Sequence, residues 1–132
     1  MKKKKRVYCL KNALVALGSD VIVLSDKKSK EIYRSFEEEL KITFYGRIEW
    51  DLYEEYEEID ENTFENRYAN QEESHYLLWG HGSDPVIEAK MNQIVRSLDD
   101  VTAISPDVWI YQKNRQVIEI FHDGIIRVLN KI

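Results

Sequence analysis

The 132-residue chain carries 19 Lys and Arg against 24 Asp and Glu, a formal net charge of −5, with 43% hydrophobic and 33% charged residues. That length fits one domain with one core, and the apolar content offsets the entropy of ordering, which excludes intrinsic disorder. No run approaches the ~20 apolar residues of a membrane span, a single cysteine excludes an internal disulfide or a cysteine-based zinc site, and the acidic balance disfavours direct nucleic-acid binding.

The start, Met1-Lys2-Lys3-Lys4-Lys5-Arg6, mimics the charged head of a secretion signal. Lys11 and Asn12 interrupt the apolar stretch behind it and no small-residue cleavage site is present, so the expected compartment is the cytosol. Val7, Leu10, Leu14 and Leu17 recur at helical spacing, and Gly18 suits a left-handed cap at the end of that helix. Val21 to Leu24 is short, apolar and β-branched, which predicts a buried strand. Ser25 or Asp26 caps a second helix running to about Leu40, with Ile32, Phe36 and Leu40 on one face.

Ile42 to Trp50 alternates with a period of two, which predicts a strand with Gly46 as a bend or bulge. Residues 51–73 lack stable periodicity and read as an acidic loop or insertion, in which Tyr53, Tyr56 and Phe64 can anchor a short helix or loop. Tyr76 to Trp79 predicts a strand ended by Gly80-His81-Gly82. Asp84 as N-cap and Pro85 in the first turn then predict a helix, with Ile87, Met91, Ile94, Val95 and Leu98 as its apolar stripe. Val101 to Ile104 and Val108 to Tyr111 predict strands, with Pro106 as a break between them. Lys113 to Gln116 reads as a turn, and Asp123-Gly124 is a hairpin signal between Val117–Phe121 and Ile125–Leu129. The resulting expectation is an α+β fold in a single domain, residues 1–132: a mostly antiparallel sheet with a C-terminal β-meander and about three helices packed on it.

Charge is unevenly spread. From Glu49 to Glu73 eleven acids meet one base, Arg67, giving −10; the remaining 13 acids and 18 bases give +5. Tyr53, Tyr56, Phe64 and Tyr68 are interleaved with those acids. One reading of this run is a plain solvated loop. The competing reading is a docking surface, with charge speeding encounter and rings supplying affinity for a basic partner. An acidic loop can also occupy the active site of a basic nucleic-acid-processing enzyme as a phosphate mimic.

Chemistry is sparse elsewhere. His75, His81 and His122 stand in no metal-ligand spacing and read as structural or surface residues, and Cys9 as an inert thiol on the first helix. No phosphate loop, dinucleotide fingerprint or nucleophile elbow is present, so no catalytic residue, metal or cofactor is assigned. Val86-Ile87-Glu88-Ala89-Lys90 resembles the core of a metal-dependent nuclease, in which Glu88 would bind Mg²⁺ and Lys90 steady the attacking water. That motif needs a strand, and the predicted helix turns residues two apart to opposite sides.

Several stretches, in order, resemble the small bacterial immunity proteins of contact-dependent growth inhibition and related polymorphic toxin systems. They are Ala16-Leu17-Gly18-Ser19-Asp20-Val21 into Val23-Leu24-Ser25-Asp26, and Gly46-Arg47-Ile48-Glu49-Trp50. Further along stand Asp99-Asp100-Val101-Thr102-Ala103-Ile104-Ser105, Asp107-Val108-Trp109 and Val117-Ile118-Glu119-Ile120-Phe121-His122-Asp123-Gly124. Leu78-Trp79 leading to Pro85-Val86-Ile87 is a weaker match. The Lys2–Arg6 run, Pro106 and the Tyr/Glu-rich stretch 53–68 depart from the family pattern. The resemblance implies a non-catalytic cytosolic protein that binds and blocks one cognate toxin domain, frequently a nuclease. The contact residues expected on this reading are Asp51, Tyr53, Glu54, Glu55, Tyr56, Glu57, Glu58, Asp60 and Glu61, with no membrane or direct nucleic-acid partner. The rival readings are the Glu88/Lys90 nuclease and a generic acidic regulatory or adaptor module.

Overall fold

The computed structural model describes residues 2–43, 47–79, 84–105, 107–121 and 123–132, with backbone alone for 2–9. The expectations for Gly46, for Gly80 through Gly82 with His81, for Pro106, for His122 and for the Cys9 side chain lie outside the described residues.

Seven strands form one sheet in the order β1-β4-β3-β5-β6-β7-β2, every neighbouring pair antiparallel. They are β1 (Ile22–Val23), β2 (Glu57–Ile59), β3 (Ser74–Trp79), β4 (Ile87–Lys90), β5 (Val108–Gln112), β6 (Gln116–Ile120) and β7 (Ile126–Leu129). Five α-helices are described: α1 (Lys2–Leu17), α2 (Asp26–Glu39), α3 (Glu61–Tyr68), α4 (Met91–Arg96) and α5 (Leu98–Ile104). The class is α+β as expected, and β5, β6 and β7 are the expected C-terminal meander.

Side chains alternate across the pleat, so the central strands feed two cores. Leu77, Trp79, Ile110, Ile118 and Val128 point to one face and pack against Leu17, Phe64, Ile94 and Val101 of the helices. Leu78, Trp109, Tyr111, Val117 and Leu129 point to the other and pack against Phe36 and Leu40 at the end of α2 and against Ile48 and Trp50. Polar ties fix the layers: Trp79 Nε1 donates to the Val101 carbonyl at 3.1 Å, and the Tyr33 hydroxyl donates to the Trp79 carbonyl at 2.8 Å. Burial pushes the Tyr33 phenol up to about 12.

Local signals held at the caps and turns. Gly18 has φ +97°, Ser25 Oγ accepts from the Lys28 amide at 3.2 Å, and Asn114 and Gly124 take the left-handed region at their hairpins.

Five expectations are corrected. The helix predicted from Pro85 to Leu98 starts instead as β4, because Ile87 and Ala89 alternate onto the helical-layer core while β3 and β1 flank the strand; α4 begins only at Met91, and Asp84 caps no helix. The strand predicted at Val101 to Ile104 is part of α5, whose buried residues Leu98, Val101 and Ile104 recur every three positions. Of the strand predicted over Ile42 to Trp50, the described residues show an Ile42–Ile48 bridge and then a 3₁₀ turn at Trp50–Leu52. The buried strand predicted at Val21 to Leu24 is the two-residue edge strand β1, with Ile22 and Val23 half exposed. Residues 51–73, read as an acidic loop or insertion with at most a short helix, contain the strand β2 as well as the short helix α3, which carries Phe64.

Candidate functional site

The acidic segment wraps the β7–β2 end of the sheet. Asp51 lies in the 3₁₀ turn, Glu57 and Glu58 on edge strand β2, and Asp60 and Glu61 at the start of α3. Asp60 is the N-cap: its carboxylate accepts from the Thr63 amide at 2.8 Å, and that bond holds its pKa below the usual carboxylate value. The seven candidate acids Asp51, Glu54, Glu55, Glu57, Glu58, Asp60 and Glu61 are all exposed, and so is Leu52. Glu57 is engaged in a two-pronged pair with Arg67, both contacts 3.1 Å.

The aromatic residues divide. Tyr53 and Tyr56 are half-buried against Trp50, with ring centroids 5.9 and 4.9 Å away. Phe64 and Tyr68, read beside them as interface anchors, are buried in the helical-layer core. Their spacing of four on α3 turns both inward, one residue above the other.

Beneath the segment lies a feature that sequence reasoning missed. Glu119 is fully buried, and its carboxylate faces four donors. Trp50 Nε1 at 2.9 Å and Arg47 Nη2 at 3.3 Å reach Oε1; Trp109 Nε1 reaches Oε2 at 3.0 Å. Arg127 Nη1 stands 3.6 Å from Oε1, within ion-pair range. Strand register explains the convergence. Glu58 opposes Arg127, Arg127 opposes Glu119 and Glu119 opposes Trp109, a single row across β2, β7, β6 and β5. Burial of one carboxylate is tolerable here because charge-assisted donors replace water. The available signal was an ionisable residue inside an apolar strand, Glu119 in Val117–Phe121 and Arg127 in Ile125–Leu129.

Above this row opens a cleft of about 310 Å³, walled by Arg47, Trp50, Tyr56, Glu58 and Arg127 and also lined by Glu49 and Asp51. A second cleft of about 260 Å³ is lined by Glu55, Tyr56 and Glu57 with the end of β7, so Tyr56 borders both.

The nuclease-like pair lies on a strand after all. Glu88 and Lys90 sit on β4, two apart and therefore on one side, the geometry that motif requires. Lys90 Nζ is 3.7 Å from Asp20, and among the described residues no three His, Cys, Asp or Glu converge to hold a metal ion. His75 is buried with Nδ1 3.0 Å from the Glu73 carbonyl, a structural placement. No described helix is long and apolar enough to cross a membrane.

No curated protein matches the chain. The family model described as CdiI immunity protein EcoliA0-like matches residues 9–129, all but the first eight and last three positions. The order of short motifs, the α+β fold and a match over nearly the whole length agree: the chain belongs to the CdiI immunity protein family.

Proposed function

We propose that this immunity protein neutralises a cognate toxin domain by direct binding in the cytosol, without catalysis of its own, and that the toxin is a basic nuclease engaged through Asp51–Glu61. The observation that carries the proposal is the run of seven exposed carboxylates on and flanking edge strand β2. Among the described residues, only Glu57 and Glu58 of the seven are drawn into ion pairs, with Arg67 and Arg127. A surface of one sign steers an oppositely charged partner and can raise association rates by about 10–10³. The half-buried rings of Tyr53 and Tyr56 and the exposed Leu52 supply apolar contact within that field.

The test pairs this protein with the toxin domain encoded by a neighbouring gene. Co-expression should protect cells, and the purified proteins should form a complex whose assembly blocks cleavage of nucleic acid. Changing Glu54, Glu55 and Glu61 together to Lys should slow association and flatten its dependence on salt. Unchanged association would move the interface elsewhere while leaving immunity intact. Incubation of this protein alone with nucleic acid and Mg²⁺ or Mn²⁺ should give no cleavage; cleavage abolished by Glu88→Ala would establish the enzyme reading instead.

A further inference from the structure

We propose that the cleft above Glu119 is a receptor for a single arginine side chain of the toxin. The proposal deepens the toxin-binding reading and rests on it for the owner of that arginine.

Charge selects a cation. Glu49, Asp51 and Glu58 line the cleft and Glu119 lies under it, four acids against Arg47 and Arg127, which leaves −2. Both arginines are already committed. Arg47 faces Glu119, and Arg127 faces Glu119, Glu58 at 3.8 Å and Asp123 at 3.9 Å. Among the described residues no ion pair engages Glu49 or Asp51. An incoming anion would have to compete with these carboxylates for both arginines.

Shape and chemistry favour guanidinium over ammonium. Trp50 and Tyr56 line the cleft with rings 4.9 Å apart and tilted by 42°. A planar guanidinium can stack on such a ring and still donate two parallel hydrogen bonds to a carboxylate, which a compact ammonium cannot. The same neighbourhood already holds one stacked guanidinium: Arg47 stands 3.6 Å over the Phe121 ring while donating a single bond, from Nη2, to Glu119.

The experiment needs no toxin, so its failure and the failure of the toxin reading are distinguishable. The full chain, labelled with ¹⁵N, is titrated with N-acetyl-arginine amide while the three indole N–H signals are followed. Trp50 should shift saturably, with Trp79, on the opposite face of the sheet, nearly still. N-acetyl-lysine amide should bind at least about fivefold more weakly, and the uncharged citrulline analogue not at all. Replacing the exposed acids, Glu49→Gln with Asp51→Asn, should weaken the arginine probe about fivefold or more without changing the unfolding midpoint. No saturable shift at Trp50, equal shifts at all three indoles, equal binding of lysine or citrulline, or unaltered binding to the double variant would each overturn the proposal.

Discussion

The Trp50 indole donates to Glu119 across 69 positions of sequence, Nε1 to Oε1 at 2.9 Å, and so joins the acidic segment to the middle of the sheet. The segment is anchored from below by one buried carboxylate, with Arg47 and Trp109 as further donors. Removal of Glu119 takes the shared acceptor from the Arg47 guanidinium and from two buried indole N–H groups, and one of three carboxylates from Arg127. Glu119→Ala should therefore destabilise the fold by about 3–5 kcal/mol, read from urea unfolding. Glu119→Gln keeps one acceptor oxygen but turns an amide N–H toward a donor, and should cost about 1–3 kcal/mol. A loss below that for the alanine variant would show that the network does not hold the segment.

Phe64 tests the division of the aromatic residues. It is fully buried on α3, 5.3 Å from the Tyr68 ring, in the core that includes Ile94 and Val101. Phe64→Ala should cost about 3–5 kcal/mol, through lost burial and the cavity left behind. Phe64→Leu should cost less and leave the rate of toxin association unchanged, because the ring offers no surface to a partner. Slower association by a leucine variant that folds normally would return Phe64 to the interface.

Local chemistry was legible where a residue acts on its own neighbours. Gly18, the Ser25 cap and Asp123-Gly124 needed no tertiary information, and each sits where its side chain or its lack of one dictates. The stretch from Ile87 to Leu98 was not legible, because Ile87, Met91, Ile94, Val95 and Leu98 satisfy a helical stripe throughout. Pairing with β3 and β1 decided the first four residues for a strand, and such long-range hydrogen bonds leave no local trace. Val101 to Ile104 failed in the opposite direction. Its β-branched content suggested a strand, and burial at every third position overrode it. The cleft over Glu119 was hidden for a related reason. Its donors come from positions 47, 50, 109 and 127, which only the tertiary fold and the register of the strands bring together.

Gly124 offers a test of one hairpin in isolation. Its φ is +84°, its amide donates to the Phe121 carbonyl at 3.0 Å, and Asp123 Oδ1 accepts from the Ile125 amide at 2.9 Å. A methyl group built there meets nothing within 4 Å, so a substitution acts only through the left-handed backbone. Gly124→Ala should cost about 1–2 kcal/mol, and Gly124→Asn less, since asparagine tolerates that region. An alanine variant as stable as the parent in urea would mean that the turn relaxes to another conformation.

His75 sets the direction of a pH effect. The residue is 2% exposed, Nδ1 faces the Glu73 carbonyl at 3.0 Å, and Nε2 is buried without a hydrogen-bond partner. Burial is the largest influence and holds the imidazole below its ordinary 6.5; the Glu73 carbonyl, Gln116 and the Glu73 carboxylate pull the other way, and Arg115 adds to the depression. Above 6.5 both folded and unfolded chains carry neutral histidine, and His75 adds no pH dependence. As pH falls below 6.5 the unfolded chain takes up a proton that the folded chain refuses, so stability declines until pH has passed the depressed folded value. The carboxylates of Asp60 and Glu73 lie below their ordinary 3.8 and 4.5 and lose their contribution only in more acidic solution. The urea midpoint should therefore be lower at about pH 5.5 than at about pH 7.5. His75→Gln, whatever its own cost, should remove much of that difference, the comparison separating His75 from the other histidines. An equal pH slope in both proteins would show that His75 is not the group responsible.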